Sequence, residues 1–219
     1  MSLLRRRSGA AARAEDTPAR PSVARAALLG GLTTEPVRDA TFISVLAYSG
    51  LRPGEALALR WGDVRESTLL VQRALSLGKE ADTKTRQHRT VRLLPPLRAD
   101  LAAWRLASGR PEHSGLVFPG RDGAPWTEPA YQSWRRGPFQ KALNGAGVSE
   151  ARPYDLRHSF ASLLLHEGRS VVYVARQLGH DARLTLTRYG HVIDEYEDQS
   201  RLEAEAAIRN ARDRRANAA

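Results

Sequence analysis

The stretch ARPYDLRHSFASLLLHEGRSVVYVARQLGHDARLTLTRYGHV, residues 151–192, decides how the chain is read. Leu156, Phe160, Leu163 and Leu164 recur at helical spacing, and Asp155, after Pro153, is placed to cap the helix they define. Gly168 ends that helix. Ser170 opens a second one, with Val171, Val174 and Leu178 on one side and Gly179 at its close. The apolar faces fix two helices and leave polar groups at their ends. Arg157 falls in the first turn of one, His180 just past the other, and Tyr189 nine positions further on. Arg supplies a rigid fork of donors suited to phosphate oxygens. His can donate a hydrogen bond or a proton near neutral pH, and Tyr can act as a covalent nucleophile. Held together, the three point to attack on a phosphodiester. A plainer reading is also open: VARQLGHDARLTLTRY fits a DNA-reading helix-turn-helix with Gly179 in the turn.

The whole chain has 219 residues and a formal net charge of +10, with a pI near 10.7. That length suits one domain with a tail, and the charge points to nucleic acid or another anionic surface. No apolar run approaches the roughly 18 residues of a membrane span, and the Arg-rich start has no apolar core behind it, so no secretory signal is expected. Cys is absent, which excludes disulfides and thiolate metal sites and fits a cytoplasmic protein. The lysines are Lys79, Lys84 and Lys141 alone, so a lysine used for chemistry has few candidates.

Upstream, Thr34 before Glu35 and Pro36 starts a helix with apolar Phe42, Ile43, Val45 and Leu46, ending at Ser49-Gly50. GLRPGEALALRWGDV follows, with Pro53 in the first turn of another helix and Arg52 held at the junction. A plain surface ion pair between Arg52 and Glu55 would contribute only a few tenths of a kcal/mol, roughly. Residues 68–75 and 89–94 have strand composition, and the cationic segment between them reads as a hairpin rim or three-stranded sheet. Residues 97–107 form an amphipathic helix carrying Trp104. GLVFPG (115–120) reads as a strand end, and residues 126–144 hold a helix whose Trp134, Phe139 and Leu143 are core rather than a base-stacking set.

The spacing of D-L-R-H-S-F-A-S, L-G-H and R-Y-G-H-V resembles the tyrosine recombinase (phage integrase) family, with His180 twenty-three residues after Arg157. Arg52-x-x-Glu55 resembles that family's first catalytic motif, GLVFPG one of its landmarks, and Lys84-Thr85 its hairpin lysine, with Lys79 competing. The resemblance implies a mainly α fold with a small antiparallel β-sheet, the tyrosine recombinase catalytic domain. It would occupy residues 33–194, after a basic segment at 1–32 and before a charged helical tail at 195–219. The first segment is too short for the helical domain that precedes the catalytic domain in this family. The implied activity is site-specific recombination of double-stranded DNA, in integration or excision. Rival readings are a non-catalytic DNA-binding protein on the same scaffold and a type IB topoisomerase. Arg52 and Arg157 would clamp the phosphate, and Tyr189 would attack to give a 3′-phosphotyrosine. Lys84 would protonate the 5′ oxygen and His180 would hydrogen-bond the phosphate, with Glu55 and His191 in support. Tyr154 stands where the family often has His, which leaves the base open. No cofactor or metal is implied. Implied too are a tetramer on DNA held by the tail, a monomer without DNA, and a cytoplasmic, nucleoid-associated protein.

Overall fold

A computed structural model describes residues 34–76, 79–82, 88–120, 122–148 and 150–197. Lys84 and residues 198–219 lie outside the described residues, as do the side chains of 79–82 and of 191–197, His191 among them. The helix expected from Thr34 is α1 (Thr34–Ser49), which packs against α3 (Pro95–Ala107) and α6 (Leu156–His166). Ala40, Phe42, Ile43, Val45, Leu46 and Ala47 along it are essentially inaccessible, and Val37 and Tyr48 are half-buried. A helix buried this widely is a core element, not a surface helix with one stripe.

Gly50, at φ +64°, turns the chain out of α1 and into α2 (Pro53–Leu57), where Pro53 takes the first turn. That second helix stops at Leu57, and a 3₁₀ turn (Trp61–Asp63) follows. The turn is fixed from outside. Trp61 N–H donates to the Gly115 carbonyl (3.0 Å), Gly62 N–H to that of His113 (2.8 Å), and Val117 N–H to that of Leu59 (2.8 Å). The GLVFPG segment therefore pairs by one isolated bridge, Arg60 with Leu116, instead of forming a strand.

The strand region differs from a single three-stranded sheet. β1 (Thr68–Val71) pairs antiparallel with β4 (Arg89–Arg92), Leu69 opposite Val91, while β2 (Arg73–Ser76) pairs antiparallel with β3 (Lys79–Asp82). Alternation in β1 puts Leu69 and Val71 inside. Beyond α3, the expected helix over 126–144 is divided into α4 (Glu128–Trp134), a π-turn (Arg135–Phe139) containing Pro138, and α5 (Gln140–Gly145). Proline lacks the N–H that an unbroken ladder needs. Trp134 and Phe139 are core as expected. Phe42 packs at 4.8 Å from Trp134 and 5.0 Å from Phe118 between ring centres, at tilts that suit aromatic quadrupoles.

α6, α7 (Val171–Leu178) and α8 (Ala182–Glu197) close the molecule, with α8 lying on both α6 and α7. Ser170 caps α7 by accepting from Tyr173 N–H at 3.2 Å, and Gly179 ends it in the left-handed region at φ +68°. Asp155 does not cap α6: it has helical backbone angles and its carboxylate takes the Arg152 N–H (2.8 Å) and guanidinium instead. No helix among the described residues is long and apolar enough to cross a membrane.

Candidate active site

The site begins at Glu55. Its carboxylate is 4% exposed and receives three groups. The Arg52 backbone N–H donates to Oε2 and the Arg52 guanidinium to Oε1, both at 2.9 Å. Arg89, from β4, donates to both oxygens at 2.9 and 2.6 Å. Burial alone would raise the Glu55 carboxyl, but the hydrogen bonds and charges of Arg89 and then Arg52 outweigh it and hold the group below its ordinary value. This is a buried network, not the exposed ion pair the sequence allowed. Glu55 aims Arg52, whose side chain remains 41% exposed and so can offer donors outward.

Arg157 is the opposite case. Its residue exposure is 2%, and α6 carries it inward beneath the α1–α2 corner. Nη1 donates to the Gly50 carbonyl at 2.5 Å and Nη2 to the Leu178 carbonyl, so the guanidinium links the end of α1 to the end of α7. Burial, with the like charges of Arg52 and Arg89, pushes Arg157 down to about 10, which still leaves it a cation at neutral pH. A buried cation held by neutral carbonyls has unspent attraction for an anion.

Three elements hold this cluster together. Arg89 Nε also donates to the Gln177 carbonyl (3.0 Å), and the Gln177 side chain accepts from Arg92 N–H (2.7 Å), which docks β4 on α7. Gly179 makes the approach possible: a Cβ there would stand 2.8 Å from Arg89 Cδ. Gly50 is as crowded, for a Cβ would stand 2.5 Å from a ring carbon of Phe160.

His180 follows Gly179. Its Nδ1 lies 3.2 Å from both the Asp181 carbonyl and the hydroxyl of the fully buried Thr185. Burial lowers its pKa, as do the charges of Arg157, Arg52 and Arg188, against a hydrogen bond to Asp181 that raises it. Arg52, Arg157 and His180 are therefore one electrostatic neighbourhood. Tyr189 lies on α8, 4% exposed. Its hydroxyl sits 2.6 Å from Nδ1 of His158, one residue after Arg157 on α6. Tyr154 is 37% exposed and meets the His158 ring edge-on at 5.7 Å.

The sequence reading missed His158 and Arg89. The first was visible only as the neighbour of Arg157 in DLRHS, and the second as one of several cations in TRQHRTVR. Among the described residues, no three His, Asp or Glu side chains gather as a metal-binding set.

Residues 25–195 match the Phage integrase family. The tyrosine recombinase XerC of Xanthomonas axonopodis pv. citri (strain 306) is 34% identical over 156 residues, 71% of this chain and 47% of that protein. Prophage integrase IntR of Escherichia coli (strain K12) is 32% identical over 188 residues, 75% of this chain and 44% of that protein. The chain thus spans about half the length of these curated relatives. Among solved structures, the Tn1549 transposon integrase in complex with circular intermediate DNA superposes with a TM-score of 0.64 at 19% identity, covering 90% of this chain and 65% of that one. At that identity the likeness speaks for the fold.

Proposed function

Because the chain belongs to the phage integrase family, we propose that it cuts and rejoins double-stranded DNA at a specific site through a 3′-phosphotyrosyl intermediate, in integration or excision. The observation that carries this reading is the cluster of Arg52, Arg157 and His180 built around Glu55 and the Gly50 and Leu178 carbonyls. A phosphodiester resists attack because its oxygens repel the nucleophile and its alkoxide leaves poorly. Arg52 is the outward donor and meets a non-bridging oxygen directly. Arg157 supplies a fixed positive field from below and its remaining N–H groups. Removing such a donor typically slows a reaction by about 10²- to 10³-fold.

Tyr189 attacks phosphorus. A free phenol ionises near pH 10, so bringing it to the anion at pH 7 costs about 4 kcal/mol. Nearby guanidiniums reduce that cost. Lys84 protonates the 5′ oxygen, a task for which Arg holds its proton too firmly. His180 donates to the phosphate, and His191 supports it. The covalent link conserves the bond energy, so rejoining needs no ATP. Four protomers assemble on DNA, with residues 195–219 reaching a neighbour.

The test is a denaturing gel of the protein incubated with labelled duplex nicked near the cleavage position. A covalent band is expected from the unaltered chain and none from Tyr189→Phe. No band from either protein, with duplex binding equal in both, would leave a DNA-binding module. The topoisomerase would show instead as relaxation of any supercoiled plasmid.

A further inference from the structure

We propose that His158 is the proton partner of Tyr189: its Nδ1 takes the phenolic proton as Oη bonds to phosphorus, and returns it when the strand is rejoined. The proposal rests on the reading of Tyr189 as nucleophile. It starts from the 2.6 Å approach of Nδ1 to Oη, shorter than the roughly 2.7–3.2 Å of ordinary N···O hydrogen bonds. The two ring centres are 5.7 Å apart and the planes are inclined at 53°. Tyr189 is buried, which strengthens a contact of this kind. Tyr154 also meets the imidazole, edge-on at 5.7 Å, but a phenol is a poor base near neutral pH.

The charges around the ring suit the transfer. Asp155, the residue just before α6, is close enough for the His158 charge to lower its carboxyl. The carboxylate in turn steadies the imidazolium that forms. Nε2 faces Arg188 Nη1 at 3.5 Å, the outer edge of hydrogen bonding. A guanidinium only donates, so this weak contact favours a proton on Nδ1, whereas the base needs its proton on Nε2. Arg188 is exposed on α8. When it turns to a DNA phosphate, Nε2 takes the proton and Nδ1 opens to the phenol. In the reaction, the Oη–H bond breaks and Nδ1–H forms. The Oη–P bond forms and P–O5′ breaks, and the 5′ oxygen leaves with a proton from a separate acid.

The experiment compares the full chain with His158→Asn, whose amide can still hydrogen-bond the phenol but cannot hold its proton. Covalent-complex formation is timed on two nicked duplexes, one with an ordinary phosphate and one with a bridging 5′ sulfur, whose thiolate leaves without an acid. Duplex affinity is measured for both proteins. The variant should be slower by at least about 10²-fold on both substrates at matched duplex occupancy, the usual scale of general-base catalysis. A rate within about threefold of the unaltered chain on the sulfur substrate would overturn the proposal, since only an acid, or nothing, would then have been lost. If His158→Asn does not fold, judged by circular dichroism, His158→Gln takes its place with the same two outcomes. A full chain that forms no adduct at all would remove the nucleophile reading itself, and this proposal with it.

Discussion

His180 has two ring nitrogens with different duties. A backbone carbonyl only accepts, so the Asp181 contact requires Nδ1 to carry hydrogen. In the neutral imidazole Nε2 is then an acceptor, unable to serve a phosphate oxygen. Burial and three arginines favour that neutral form at pH 7. A bound phosphate reverses the balance, because it both accepts from Nε2 and cancels part of the surrounding positive charge. The pKa is low in the free protein and rises on binding, so binding takes up protons, and affinity increases as pH falls from 7 toward 6. Calorimetry in buffers of different ionisation enthalpy should register uptake of up to about one proton per site, and His180→Asn should abolish it. Equal heats across buffers would show that His180 keeps its charge state. Tyr154 makes a second case. Its ring leans on His158 from a half-open position. Tyr154→His should preserve covalent-complex formation and Tyr154→Ala should reduce it; equal rates for the alanine variant and the unaltered chain would reduce the position to packing.

Among the elements, the joint between α2, β4 and α7 bears the cost of concentrating cations. Glu55 counters Arg52 and Arg89, while Arg157 lies close by. Glu55→Gln leaves these guanidiniums without their buried partner, and losses of about 3–5 kcal/mol are usual for such a break. Urea unfolding at pH 7 should show a drop on that scale; a change under about 1 kcal/mol would mean that water, not Glu55, balances the arginines. The Glu55 carboxyl is held low in the folded chain, so its contribution is fully present above the ordinary carboxylate range and is lost as pH falls below it. Acid should therefore destabilise the unaltered chain more than the Gln variant. Gly50→Ala is a separate test of the corner. Its φ of +64° costs a non-glycine residue about 1–2 kcal/mol, and the added Cβ meets the Phe160 ring and Leu178. Because Gly50 also presents the carbonyl that holds Arg157, activity should fall further than thermal stability predicts.

At the scale of the whole molecule, a chain of charge +10 should bind duplex DNA chiefly through phosphates. The logarithm of affinity should then fall linearly with the logarithm of salt concentration, by about 0.9 per phosphate neutralised. A filter-binding series from 50 to 200 mM salt measures it, and a flat line would remove nucleic acid as the partner. The helices at 34–49, 95–107, 156–166 and 171–178 were legible in the sequence, because apolar period, Pro at a start and Gly at an end are local signals. So were Arg52, Arg157, His180 and Tyr189 as candidates, since their order and spacing are written along the chain. The division of the strands into two ladders was not legible, nor the broken helix around Pro138. Pairing partners are chosen across space, and a proline's effect depends on what satisfies its neighbours. The roles of Glu55, Arg89 and His158 also waited for the fold. Glu55 and Arg89 are 34 positions apart, and His158 and Tyr189 are 31 apart. Sequence alone determined which groups the chain carries and which helices hold them. Only tertiary structure decided which arginine is exposed, which is buried, and which histidine meets the phenol, because burial and hydrogen bonding are properties of neighbours that the order of residues does not contain.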